Sequence, residues 1–116
     1  MTVDDIATAL DAPVTGGTAG AQTPVLGGYV SDLLSDVMAN AQDGDVWITL
    51  QRHVNVIAVA RLKNLAAIVL TRGRQPEADT LARAAEHRIP IIVSHASTFD
   101  VAGRLHALGL RGRGAS

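Results

Sequence analysis

The sequence predicts a small three-layer α/β domain, with a mostly parallel sheet and helices on both faces. Three observations predict it. From Val46 onward short apolar runs alternate with helical patterns, in the order strand, helix, strand, helix, strand, helix. The runs at 46–48, 65–70 ("LAAIVL") and 89–93 are continuously apolar rather than alternating, as expected of strands buried on both faces of a parallel sheet. The chain is 47% hydrophobic and only 18% charged, which supplies a large core for 116 residues and one domain.

The elements follow in order. Val3, Ile6, Ala7 and Leu10 share one face of a helix, with Thr2 as cap and Asp4 and Asp5 in the favourable first turn. Residues 13–15 are extended, 16–20 form a glycine-rich loop, and 24–26 are extended until Gly27 and Gly28 break them. A helix follows with the stripe Val30, Leu33, Leu34, Val37 and Met38, capped by Ser31 or Asp32. Gly44 separates it from the strand at 46–49. Residues 54–63 are apolar at nearly every position, so neither period wins. β-Branched residues favour a strand, while Ala58, Ala60, Arg61, Leu62 and Lys63 favour the buried helix assigned here. The strand at 65–70 leads to a helix with Pro76 and Glu77 in its first turn and Ala78, Leu81, Ala82 and Ala85 facing inward. After the strand at 89–93, Thr98 caps a last helix bearing Val101, Ala102, Leu105 and Leu108, which Gly109 ends. Residues 1–110 form the domain and 111–116 a flexible basic tail.

Composition excludes several functions. A net charge of −1 gives no field favouring nucleic acid or an anionic membrane, and 3% aromatics provide no extended base-stacking surface. There is no Cys, hence no disulfide and no thiolate metal site. The start "MTVDDIATAL" is acidic rather than signal-like, and no apolar run approaches the ~18 residues of a membrane span. A cytoplasmic protein is expected.

The strand ends are alike. Thr49 is followed by Gln51, Arg52, His53 and Asn55; Thr71 by Arg72 and Arg74; Ser94 by His95 and Thr98. In an open parallel sheet these ends lie along one edge, where ligands bind, and each loop enters a helix N-terminus that favours an anion. These eleven residues are the candidate ligand site. Thr98 and Asn55 also read as helix caps, and the arginines as solvated surface. Harder chemistry is absent from the pattern: "GGTAGAQ" lacks a phosphate-loop lysine, no HExxH or GxSxG occurs, and Asp45 and Asp100 are isolated carboxylates. No cofactor or metal is expected.

The stretch from Gly27 to Leu110 resembles a DRTGG domain, through the order of its motifs. That family is named for a polar turn after one strand and a Leu-Thr-Gly-Gly turn after the next. Here the first reads Thr49-Leu50-Gln51-Arg52-His53-Val54-Asn55 and the second Leu70-Thr71-Arg72-Gly73; "TFDVAGRL" matches the closing helix. Arg52, His53 and Val54 stand where the family has Asp, Arg and Thr, and Arg72 replaces the first glycine of the second turn. The sequence looks most like single-domain members. The resemblance implies an accessory, regulatory or dimerising module, as in CBS-domain pyrophosphatases, phosphotransacetylases and, more distantly, the N-terminal domain of HPr kinase. It also supports the helix at 54–63.

The expected function is a non-catalytic regulatory or ligand-sensing module. It would be homodimeric, bind a small anionic ligand such as a nucleotide, and act on a partner enzyme. The alternative is an assembly module whose loops make protein contacts without a ligand. An enzyme using His53 or His95 as acid–base ranks last, because no nucleophile or base pair is recognisable. The dimer is expected from the high apolar content, the open sheet edges and the resemblance. Its interface is expected on the stripe Val30, Leu34, Val37 and Met38 or on 54–62.

Overall fold

The computed structural model describes residues 1–113. Helix α1 (Val3–Ala9) begins with a reciprocal capping box: Thr2 accepts from the Asp5 N–H, and the Asp5 carboxylate accepts from the Thr2 N–H. Strand β1 (Val14–Gly16), a short 3-10 turn (Thr18–Gly20) and β2 (Gly27–Val30) follow. Then come α2 (Leu34–Asn40), β3 (Asp45–Thr49), α3 (Asn55–Leu62), β4 (Ala67–Leu70), α4 (Ala78–His87), β5 (Pro90–Val93) and α5 (Thr98–Ala107).

The five strands form one sheet in the order β1-β5-β4-β3-β2. β2, β3, β4 and β5 are parallel, with Tyr29 opposite Trp47, Trp47 opposite Ile68, and Ile68 opposite Ile91; β1 runs antiparallel to β5. The sheet is therefore mostly parallel, and helices cover both faces. Val46, Ile48, Val69 and Ile92 point to α1 and α5; Trp47, Ile68, Leu70 and Ile91 point to α2, α3 and α4. Trp47 is fully buried, and its indole N–H donates to the Ser31 carbonyl at 2.8 Å.

The ambiguous segment 54–63 is the helix α3. It lies on the sheet between α2 and α4, and its Val56, Ile57, Val59 and Ala60 are all buried. A helix flanked on both sides shows no clean period, which is why the pattern alone did not decide.

Five expectations are corrected. Gly27 and Gly28 do not break the chain: they begin β2. At Gly27 a side chain would collide with the Asp45 carboxylate and the Arg113 guanidinium, its Cβ falling 2.8 and 2.5 Å from them. The following helix starts at Leu34, four residues after Val30; only Val37 of its stripe is buried, while Val30, Leu33 and Met38 are exposed. Asp32 is not a cap, because its carboxylate is taken by the loop after β3, as set out below. In α4 the cap position is Glu77, so Pro76 precedes the helix, and Thr80, Ala84 and half-buried Leu81 face inward in place of Ala78, Ala82 and Ala85. Thr80 is tolerated there because its hydroxyl donates to the Arg52 carbonyl at 2.8 Å. Ser97, not Thr98, caps α5, accepting from the Asp100 N–H.

Residues 111–113 lie along β2. Gly28 N–H donates to the Arg111 carbonyl, and the Arg113 guanidinium pairs with buried Asp45 at 2.6 Å. The remainder of the expected flexible tail, 114–116, lies outside the described residues.

Candidate functional site

Because β2 to β5 are parallel, the loops after all four strands lie along one edge of the sheet. These loops are sewn together. Thr49 donates its hydroxyl to Asp32 Oδ1 at 2.8 Å, and the same oxygen accepts from the Leu50 N–H at 2.7 Å. Gln51 donates its amide to the Asp32 carbonyl, and its N–H to the Thr49 hydroxyl. Thr49 and Gln51 thus tie the loop after β2 to the loop after β3. Asp32 is the central acceptor of that tie. Its local pattern matched a helix cap, and nothing in its neighbours signals a partner 17 residues away.

Arg52 links the next pair of loops. Its Nε donates to the Gln75 carbonyl at 2.7 Å, and its own carbonyl accepts from the Glu77 N–H and the Thr80 hydroxyl. His53 accepts from the Asn55 N–H through Nδ1 at 3.1 Å, just before α3. The third tie joins the loops after β4 and β5: Thr71 and Thr98 hydroxyls lie 2.7 Å apart, and Arg72 N–H donates to the Ala96 carbonyl. Ser94 is buried, and its hydroxyl accepts from the Ala96 N–H at 3.2 Å.

The eleven predicted residues therefore separate by role. Thr49, Gln51, Thr71, Thr98 and Ser94 spend their polar groups holding the edge together. Arg52, Arg72 and Arg74 line one pocket of about 380 Å³, with Leu50, Gly73 and Gln75. Ser94 and His95 line a neighbouring depression of about 560 Å³ beside Asp11 and Arg104. Asn55 faces a third groove, between α3 and α4, with Arg61 and Arg83. Gly73 sets the border between the first two: its φ is +69°, and a Cβ there would stand 2.7 Å from His95 Nδ1.

Arg72 and Arg74 have no carboxylate within ion-pair distance among the described residues, and neither does Arg52. Arg72 also adopts a left-handed backbone, φ +58°. Glycine takes that conformation freely, whereas a side chain there costs on the order of 1 kcal/mol. Among the described residues no group of three or more His, Asp or Glu is placed to hold a metal ion.

The DRTGG domain profile matches residues 5–108, nearly the whole chain. The chain belongs to the DRTGG domain family. The match starts inside α1 and so takes in more of the chain than the stretch from Gly27 that carried the resemblance. No curated protein sequence matches. Among solved structures, the chain is similar to the CBS and DRTGG domains of the regulatory region of a Clostridium perfringens pyrophosphatase, determined in complex with its activator diadenosine tetraphosphate. The TM-score is 0.70 at 16% identity, over 90% of this chain and 45% of that one. The likeness is one of fold, and the chain spans under half of the neighbour's length. In this DRTGG domain both name-giving turns face the arginine pocket. The first contributes Arg52 and the second contributes Arg72. Both add positive charge to the same place.

Proposed function

We propose that this DRTGG domain is a non-catalytic regulatory module that senses a small anionic ligand, a nucleotide being the foremost candidate, at the carboxyl edge of its sheet. One observation carries the reading: three guanidiniums from two successive turns line one pocket without a carboxylate to neutralise them. Unpaired arginines held close together repel one another, and an oxyanion relieves that repulsion through charge-assisted hydrogen bonds. Arg72 holds its side chain at this pocket from a left-handed backbone that glycine would take at less cost. The neighbour's activator is itself a polyphosphate, which supports the ligand class. Its place in an enzyme's regulatory region supports a partner enzyme for this chain. Among the described residues no helix is long and apolar enough to cross a membrane, and a cytoplasmic location fits such a sensor.

Binding is tested by thermal shift against nucleotides and inorganic polyphosphates. A native-state ligand at 100 times its Kd raises stability by about 2.7 kcal/mol. The Arg72→Ala/Arg74→Ala variant should keep the wild-type melting point without ligand and lose the shift with it. A variant that shifts as much as wild type would place binding elsewhere.

The domain also self-associates in this reading. Leu26, Val30, Leu33 and Met38 are exposed around the β2–α2 edge, and Leu33 is 67% accessible. That surface is the proposed interface, without Val37, which the protomer's own core consumes. A module that only assembles, with no ligand, is the second reading, favoured by this same patch.

A further inference from the structure

We infer that Phe99 is a stacking platform for the base of a nucleoside polyphosphate whose phosphates lie on Arg52, Arg72 and Arg74. This rests on the anion-binding reading of that pocket and specifies its ligand. The chain has one Trp, one Tyr and one Phe. Trp47 is sealed in the core, and Tyr29 spends its hydroxyl on Asp36 at 2.7 Å. Phe99 does neither: it is 86% exposed. A single exposed apolar side chain is ordinary by itself, so its position decides.

Phe99 is the second residue of α5, whose N-terminus opens at the carboxyl edge. The turn that carries it is bound to the turn that carries Arg72 through two contacts. The Thr98 hydroxyl lies 2.7 Å from the Thr71 hydroxyl, and Arg72 N–H donates to the Ala96 carbonyl at 2.9 Å. Phe99 and Arg72 are each one residue from the Thr71–Thr98 contact, so they stand on adjoining, mutually bonded turns. The arginine pocket itself suits phosphates and nothing flat, since its apolar lining is Leu50 alone, beside Gly73. A base would need an aromatic face just outside, and Phe99 supplies one on the neighbouring turn. Stacking of this kind reads the ring face and not its edge, so adenine and guanine nucleotides would bind alike.

The test is calorimetric titration of wild type, Phe99→Ala and Arg72→Ala/Arg74→Ala with ATP, GTP and inorganic tripolyphosphate, with the mass of each variant followed by light scattering. Phe99→Ala should weaken ATP and GTP about tenfold and leave tripolyphosphate and mass unchanged. The double arginine variant should weaken all three. The inference is overturned, and the anion pocket retained, if Phe99→Ala leaves ATP unchanged, weakens tripolyphosphate equally, or lowers the mass, which would make the ring a subunit contact. If tripolyphosphate does not bind wild type, both the pocket and the platform fall.

Discussion

Replacing Arg113 by Ala should destabilise the domain substantially, although Arg113 lies far from the candidate site. Asp45 is the first residue of β3, and its side chain is 1% accessible. One carboxylate oxygen accepts from the Gln42 N–H at 2.8 Å. The other depends on Arg113, which donates through Nη2 at 2.6 Å and Nε at 3.2 Å. The guanidinium also donates to the Asp43 carbonyl. An exposed ion pair is worth up to about 1 kcal/mol, and breaking a fully buried one costs about 3–5 kcal/mol. Asp45 is sealed but Arg113 is 33% accessible, so water refills part of the vacated space. The expected loss is about 2 kcal/mol, or about 8 °C in Tm for a domain of this size. Thermal unfolding followed by circular dichroism measures it. Because the carboxylate is buried, raising salt to 0.5 M should change the deficit little. In an Asp45→Asn background the same substitution should cost less than half as much, since no charge is left stranded. An Arg113→Ala variant melting within about 2 °C of wild type would refute the claim that the tail locks β2 through this pair.

Two other outcomes are expected beside the ligand tests. Asp36 is held below the ordinary carboxylate value of 3.8, first by the hydrogen bond from Tyr29 and then by Ser31; the Tyr29 hydroxyl is raised above 10.0, first by its bond to Asp36 and then by desolvation. The stability this pair contributes is therefore present above 3.8 and below 10.0. It is lost as acid protonates Asp36 through its depressed value, and as alkali rises toward the raised value of Tyr29. The Tm gap between wild type and Tyr29→Phe should be constant near neutrality and close at both extremes; a gap independent of pH would refute the coupling. For self-association, light scattering after size exclusion should give twice 12.1 kDa, and Leu33→Glu should return the monomer mass. A wild-type mass of 12.1 kDa at high micromolar concentration would refute the dimer.

The fold was legible where one layer of interaction decides. The α1 capping box is written in Thr2 and Asp5, three residues apart. The core strands are written in unbroken apolar runs, and their parallel direction in the helices that alternate with them. Reading failed where a distant group sets the local structure. Gly27 punctuates a sequence, yet here it makes room for an ion pair whose arginine is 86 residues downstream in number. Alanines at 78, 82 and 85 carry too little hydrophobicity to fix a helix face, so a threonine with a distant carbonyl acceptor set the register of α4. The stripe from Val30 to Met38 had the right spacing, but Trp47 bonds the Ser31 carbonyl, and the chain reaches helix only at Leu34.

The site divides along the same line. The residues that join the loops act through hydroxyls, amides and main chain: Thr49 to Asp32, Thr71 to Thr98, Arg72 N–H to Ala96. None of these bonds needs a particular side chain at position 72, and at position 52 they use the carbonyl and one guanidinium nitrogen. The edge can therefore keep its shape while the side chain at position 72 changes, whereas position 52 is held to the scaffold by its Nε bond to the Gln75 carbonyl. In this chain Arg52 and Arg72 stand beside Arg74, in a protein whose net charge is only −1. Positive charge concentrated against so neutral a background persists as local potential and is not averaged away over the surface, and it is on this local potential that the proposed anion binding rests.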